Sequence, residues 1–301
     1  MLKGVSAGLA AGALWGLVFV VPRMTPGLSS VDLTAGRFVS YGLMSVLAMA
    51  VSWRTHAWPT AHQALTALGM SLLGATVYYL LLAQAIHHAG TEVPTLIIGT
   101  IPIWVMSLGK PLGLKWSTLL PGLVLTAAGL LLMMNAATAT VTPVAVDAED
   151  VHFWWGVALA TVAMVCWTAF ALLNAAWLKR HPEVSATEWT NWLGIATGLG
   201  ALVLWLVAGT NPSTLGSLDN IDMLALVCIA SGIGSAWVAS IFWNIASQRL
   251  SVSLCGQLIV SETLFALFYS FVWDGAWPGA GQLLAAVLFT LGILASIRAH
   301  R

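Results

Sequence analysis

The residue that most invites a chemical role is a single carboxylate within an apolar segment. Glu262 lies in the run LIVSETLFALF (258–268), and apolar residues extend from it in both directions. An ionised carboxylate is expensive in the centre of a bilayer, so a residue of this kind is a candidate functional group. Two uses stay open: Glu262 can couple transport to a proton, or it can serve structure or gating by hydrogen bonding to a neighbouring helix.

Small and polar residues cluster on the same turns of two apolar segments. Gln257 and Ser261 are four residues apart, as are Thr95 and Gly99, so each pair lies on one face of a helix. Pro102 follows Gly99 and can bend its helix. We predict that the two pairs contact a substrate and that Pro102, like Glu262, has a gating or coupling role.

The alternative for such residues is close helix packing, which we expect for Gly129 and Gly292. Backbone carbonyls freed by glycine or proline are tolerated where they face protein or a wet cavity, which favours a cavity at the two clusters. Side chains with amides are further candidates for contact with a polar substrate group: Gln84, Asn174, Asn244 and Gln257.

Aromatic residues are the second group that could bind a small molecule. The chain has 16 tryptophans, and those near predicted helix ends are typical of an interfacial belt. The deeper ones either pack within the bundle or line a cavity: Trp15, Trp104, Trp167, Trp192, Trp237 and Trp243. We predict a substrate-binding wall that suits planar apolar groups or flat organic cations, formed by Trp15, Tyr78, Tyr79, Trp167 and Trp237.

Composition identifies the environment in which these residues act. Of the 301 residues, 59% are hydrophobic and 7% are charged, which is typical of an integral membrane protein. Lys+Arg and Asp+Glu are equal at 11 each, so no nucleic-acid partner is predicted. The chain shows neither metal-ligand spacing nor a phosphate-binding glycine loop. We therefore predict no catalytic site, no metal and no cofactor, and transport energy would come from a gradient.

Hydropathy predicts an all-α protein whose helices are long enough to cross the bilayer, which takes about 20 residues. Ten segments meet this condition: 4–22, 32–52, 65–87, 92–109, 118–135, 154–178, 187–208, 222–244, 251–271 and 279–298. An even number of crossings places both termini on the same side.

The distribution of basic residues predicts that this side is the cytoplasm. With the N-terminus inside, only Arg23 lies in an outer loop, and the inner segments hold Lys3, Arg54, Lys110, Lys115, Lys179, Arg180, Arg249, Arg298 and Arg301. Arg37 lies within the second helix, where we expect it to snorkel to the interface or to pair with Asp32.

The chain divides into two similar halves. Residues 83–106 align without a gap over 244–267, and the longest link between helices, 136–153, falls at mid-chain. We predict a first repeat at 1–135, an outer linker at 136–153 and a second repeat at 154–301. Because each half has an odd number of helices, the second is inverted in the membrane, an architecture of secondary transporters.

These features resemble the drug/metabolite transporter superfamily, EamA type. The stretch GTIPIW (99–104) is similar to that family's proline-then-aromatic signature, and SETLFA (261–266) is similar to its second copy. Thr263 replaces the proline of the second copy, which puts a kink in helix 9 in doubt. The tryptophan-rich, nearly uncharged character is most similar to YddG-type aromatic amino acid exporters.

The resemblance implies a secondary transporter of the bacterial inner membrane. It would export aromatic and other apolar amino acids, or similar metabolites, by alternating access through a central hydrophobic cavity between helix hairpins 3/4 and 8/9. The expected partners are a small-molecule substrate and the lipid bilayer, and a monomer suffices.

Two alternatives stay open. The cargo could be an organic cation, as in multidrug exporters, or another metabolite. The chain could also be a membrane-embedded enzyme or a scaffold, although an enzyme would need a cluster of mid-membrane histidine, acidic or serine side chains.

Overall fold

The protein is a bundle of helices. The structure, a computed structural model, describes residues 1–52, 58–90, 92–138, 151–218, 220–275 and 277–300, and within these ranges it has no strand. Its longer helical segments are α1 (Leu2–Gly16), α2 (Ser30–Val51), α3 (Ala61–Ala89), α4 (Val93–Leu108), α5 (Trp116–Thr138), α6 (Val151–Arg180), α7 (Ala186–Ala208), α8 (Ile221–Arg249), α9 (Val252–Asp274) and α10 (Ala280–Ala299). Two short helices, Val21–Met24 and Pro212–Gly216, lie in the connections.

Within the described residues, nine of these helices are long and apolar enough to cross a membrane, and α4 is a shorter apolar helix. The prediction of an all-helical integral membrane protein is therefore confirmed. The helix α4 is interrupted at Thr100, just before Pro102. Its counterpart α9 runs unbroken through Thr263, as the missing proline suggested.

Two helices contain a π-helical segment, in which the hydrogen bonds span one residue more than in an α-helix. One lies at Leu72–Thr76 in α3 and the other at Gly232–Val238 in α8. The alignment that pairs residue 83 with residue 244 also places 72–76 over 233–237, inside the second π-helical segment. The two halves thus share an irregularity at matching positions.

A glycine at every fourth position lets α1 approach α9 closely. A Cβ atom at Gly4 would lie 2.8 Å from the side chain of Leu250, and one at Gly16 would lie 2.8 Å from the backbone nitrogen of Ala266. Gly8 and Gly12 make the same kind of approach between these two points. Because the start of α1 contacts Leu250, just before the start of α9, and the end of α1 lies beside later residues of α9, the two helices run in the same direction.

The two halves of the chain interlock. Helix α1 packs on α8 and α9 of the second half, whereas α6 packs on α3 and α4 of the first. Further pairs join the halves, among them α2 with α7 and α8, α3 with α7, α4 with α9, and α5 with α10. Most of the predicted linker, 139–150, lies outside the described residues, while 136–138 and 151–153 are helical extensions of α5 and α6.

A buried carboxylate, Asp32, ties the first turn of α2 to the end of α7. Its oxygens accept hydrogen bonds from the Trp205 indole (3.2 Å), from the Thr210 backbone N–H (2.9 Å) and hydroxyl (2.6 Å), and from the Ser29 hydroxyl (2.6 Å). The Asp32 side chain is only 6% exposed, so its carboxylate depends on these four hydrogen bonds rather than on water.

Replacing Asp32 by alanine is expected to lower the free energy of unfolding by about 2 kcal/mol, because the part-buried groups of Trp205 and Thr210 lose a charged acceptor. Denaturant titration of the purified protein in detergent would measure this. Asp222→Ala is the matched control, since Asp222 is exposed in the first turn of α8. Its loss should cost less than about 1 kcal/mol. Equal stability of the two variants would contradict the anchoring role.

Candidate functional site

The centre of the bundle holds an aromatic and apolar cluster. The rings of Trp15 in α1 and Trp243 in α8 lie 5.3 Å apart. Trp15 and Trp167 are both half-buried, and both pack against the same apolar core, which includes Ile101 and Leu258. These two predicted wall residues, one from each half, therefore border the same core.

A second group combines two tyrosines with two ionisable side chains. Tyr78 and Tyr79 in α3 have rings 5.0 Å apart, and Phe38 in α2 lies 5.3 Å from the Tyr79 ring. The Tyr79 hydroxyl contacts the Arg37 guanidinium. Both tyrosines interact electrostatically with Glu262 in α9. We call Arg37, Tyr78, Tyr79 and Glu262 the charged group.

The structure contradicts the expectation that Arg37 snorkels to the interface or pairs with Asp32. Arg37 is only 6% exposed, so its guanidinium does not reach the surface. Asp32 uses its oxygens for Thr210, Trp205 and the α2 cap instead. A spacing of five residues turns the two side chains to different sides of α2. Arg37 is therefore directed toward Tyr79.

Glu262 is held in place by the close approach of α1. Cβ atoms at Gly12 and Gly16 would each lie 3.1 Å from its backbone, at the nitrogen and the oxygen respectively. The side chain is half-buried and interacts electrostatically with Arg37. In the part of the chain that the structure describes, the carboxylate accepts no hydrogen bond and forms no ion pair within 4.0 Å.

The predicted polar contacts of α9 lie apart from these groups. Gln257 is fully buried; its amide donates to and accepts from the Thr126 hydroxyl of α5 and accepts from the Ser296 hydroxyl of α10. Ser261 is also fully buried, donates to the Leu258 carbonyl of its own helix and packs against α1. Gln257 thus joins three helices, and a substrate role for either residue is still a prediction.

The predicted residues of α4 have different surroundings. Thr95 is exposed, and Gly99 faces Leu130 of α5. Pro102 is buried, just after the interruption at Thr100. The structure therefore does not gather these residues with the aromatic cluster.

The remaining aromatic candidates belong to other contacts. The Trp237 indole donates a 2.8 Å hydrogen bond to Asn191 of α7. Trp104 is 46% exposed and donates to Thr100 on its own helix. Trp192 is buried beside the stacked rings of Trp177 and Trp189.

Two of the amide candidates form a buried network. Asn174 donates to Asn244 (2.9 Å) and accepts from the Trp189 indole (2.6 Å), and Asn244 donates to Thr190 (2.8 Å). The network joins α6, α7 and α8, and each amide is at most 1% exposed. These side chains are satisfied by the protein itself. Gln84, by contrast, is exposed near the end of α3.

Sequence reasoning did not assign Arg37 to the site, because a lone arginine in a helix is compatible with snorkelling. It also gave the α1 glycines no role, although Gly4, Gly8, Gly12 and Gly16 recur at the four-residue spacing of one helix face. That spacing was the available signal for a close approach of α1 to another helix.

Comparison with known proteins identifies the family to which this chain is related. The EamA-like transporter family matches residues 2–135. Inner membrane protein YtfF of Escherichia coli (strain K12) is 32% identical over 316 aligned residues, covering 99% of this chain and 96% of that protein. A solved crystal structure shares the fold, with a TM-score of 0.77, 18% identity and 98% of both chains covered. The chain therefore belongs to the EamA-like transporter family and is a multi-pass membrane transporter of the drug/metabolite transporter superfamily.

Proposed function

We propose that the protein exports aromatic and other apolar amino acids, or similar small metabolites, across the bacterial inner membrane. The observation that carries the proposal is the pair Trp15 and Trp167, which are half-buried and pack from the two halves of the chain against one core. Half-buried rings of this kind can stack on a planar apolar side chain. The name of the E. coli relative, an inner membrane protein, supports the location.

Ten membrane crossings are part of the proposal, and the common direction of α1 and α9 supports them. Seven helices separate the two in the chain, and six of these are long enough to cross. If those six each cross once, α1 and α9 can run the same way only if the short α4 crosses as well. The first turn of α1 contacts Arg249 at the end of α8. Gly109, which follows α4, contacts Val252 at the start of α9. Lys3, Lys110 and Arg249 then share one side, which we assign to the cytoplasm together with both termini.

We further propose that 1–135 and 154–301 are inverted repeats that exchange access to a central site. Support comes from the π-helical segments at matching positions and from the reciprocal packing of α1 and α6 on the opposite halves. Sites of such transporters lie near the midplane, between the repeats. One path through one chain makes a monomer sufficient.

Reconstitution into liposomes with radiolabelled phenylalanine or tryptophan tests the substrate. We expect flux above that of empty liposomes and a loss of about tenfold in Trp15→Ala and in Trp167→Ala, because each substitution removes a stacking surface. Trp277→Ala is the matched control, because Trp277 is 95% exposed. If no apolar amino acid gives flux above empty liposomes, the substrate proposal fails.

A second candidate cargo is an organic cation, which is favoured by the carboxylate of Glu262 and the tyrosine rings close to it. Tetraphenylphosphonium would then suppress phenylalanine flux at equal concentration and would itself be transported. Amino acid export predicts that phenylalanine flux is unchanged by this cation.

A further inference from the structure

The charged group places a buried cation, Arg37, and a half-buried carboxylate, Glu262, within the bundle without closing them into an ion pair. Arg37 is 6% exposed, and its Nε atom has no hydrogen-bond acceptor in the described part of the chain. A guanidinium is always charged in proteins, so this cation cannot escape its burial by losing a proton. Glu262 interacts with it electrostatically but stays beyond 4.0 Å.

A ligand that supplies one charge of each sign would compensate both residues at once. We infer that Arg37 binds the α-carboxylate and Glu262 the α-ammonium of an amino acid zwitterion, with its side chain against the rings of Tyr78 and Tyr79. This inference rests on the proposed function. It concerns the α-ammonium and α-carboxylate groups of the substrate, which the aromatic wall does not recognise. Neither residue had been assigned to substrate binding by sequence reasoning.

The signs of the two charges suit this ligand. The ammonium and carboxylate of an amino acid are separated by only about 3 Å, because both are attached to the same carbon atom. Arg37 and Glu262 interact electrostatically but form no direct ion pair, so each keeps its charge available to the opposite charge of such a molecule. Arginine is also the side chain whose paired N–H groups match a carboxylate.

A ligand with a single charge would leave one buried charge without a partner. Removing one member of a buried, hydrogen-bonded charge pair costs about 2 kcal/mol or more, which corresponds to roughly a 30-fold loss in affinity. The site therefore discriminates zwitterions from amines and from carboxylates that carry the same ring.

Three probes that share the same ring test this directly: phenylalanine, 2-phenylethylamine, which lacks the carboxylate, and 3-phenylpropionate, which lacks the ammonium. Affinities are measured by competition against tritiated phenylalanine or by calorimetry, with purified full-length protein in lipid nanodiscs. For the wild type we expect phenylalanine to bind roughly 30-fold or more tightly than either analogue.

The variants should change this preference in opposite ways. In Arg37→Gln, 2-phenylethylamine should bind as well as phenylalanine, because the carboxylate no longer has a partner. In Glu262→Gln, 3-phenylpropionate should bind as well as phenylalanine. The matched controls Arg180→Gln and Asp222→Asn change exposed charges and should keep the wild-type ratios.

Size-exclusion chromatography shows whether each variant is folded. If Arg37→Gln misfolds, Arg37→Lys replaces it, because lysine retains a cation. Arg37→Lys should keep the preference for phenylalanine over 2-phenylethylamine. The Glu262→Gln variant tests the site independently of both. Unchanged ratios in Arg37→Gln or Glu262→Gln, or failure of the wild type to bind phenylalanine, would overturn the site. Binding with the expected ratios but without flux in liposomes would reject the proposed transport while leaving the zwitterion site intact.

Discussion

Replacing Gly42 by leucine is expected to lower the free energy of unfolding by about 3 kcal/mol, because α2 and α7 cross backbone to backbone at this point. A Cβ atom at Gly42 would lie 2.8 Å from the Cα atom of Gly198 and 3.2 Å from the carbonyl oxygen of Gly194. Backbone atoms cannot rotate away as the end of a side chain can, so the two helices must separate.

Denaturant titration in detergent measures this loss, and Gly69→Leu is its matched control. Gly69 lies within α3, and a Cβ atom there would meet no heavy atom within 4 Å. The control should therefore unfold like the wild type or slightly later, since leucine favours a helix more than glycine does. A Gly42→Leu protein as stable as the Gly69→Leu protein would show that the crossing can open without cost.

Replacing Asn174 by alanine is also expected to cost about 3 kcal/mol, because two buried groups would lose their partners. The indole N–H of Trp189 would have no acceptor, and the side-chain oxygen of Asn244 would have no donor. Trp189 is 0% exposed, so water does not replace the lost bond in the folded protein.

A double-mutant cycle separates this structural role from the substrate contact that sequence reasoning left open. Asn174→Ala and Asn244→Ala should be less than additive, with a coupling of about 1 kcal/mol or more, since each removes the same bond. Asn211→Ala is the control, because Asn211 is exposed and makes no side-chain cap. Additive effects, or lost flux at wild-type stability, would instead indicate that the amides bind substrate.

Hydropathy predicted the helices well but predicted some of their ends poorly. Helix α3 begins at Ala61 rather than 65, because Thr60 and Gln63 form a capping box ahead of the apolar residues. Helix α8 continues to Arg249 rather than ending at 244, since the polar last turns are helical too. Hydropathy detects the part of a helix that lies in the hydrocarbon, whereas caps and tertiary packing determine where the helix ends.

The candidate site was predictable only in part. Trp15 and Trp167 could be selected from their depth within the predicted helices. Arg37 could not be assigned to the site, because Asp32 was an equally good partner for it in the sequence. The hydrogen bonds that engage Asp32 instead come from Trp205 and Thr210, more than 170 residues away. Gln257 was grouped with Ser261 by spacing, but spacing does not reveal which neighbouring helix a buried amide faces.

The reciprocal packing of α1 and α6 has a consequence for how the chain is made. Gly4 emerges from the ribosome early, but its contact Leu250 is synthesised 246 residues later. At about 5–20 residues per second, α1 waits roughly 12 to 50 s in the membrane before α8 and α9 arrive. During that interval the glycine face of α1 has no native partner. The first half is therefore an incompletely packed intermediate until the second half has been synthesised. The packing of α1 is complete only after α8 and α9 have entered the membrane.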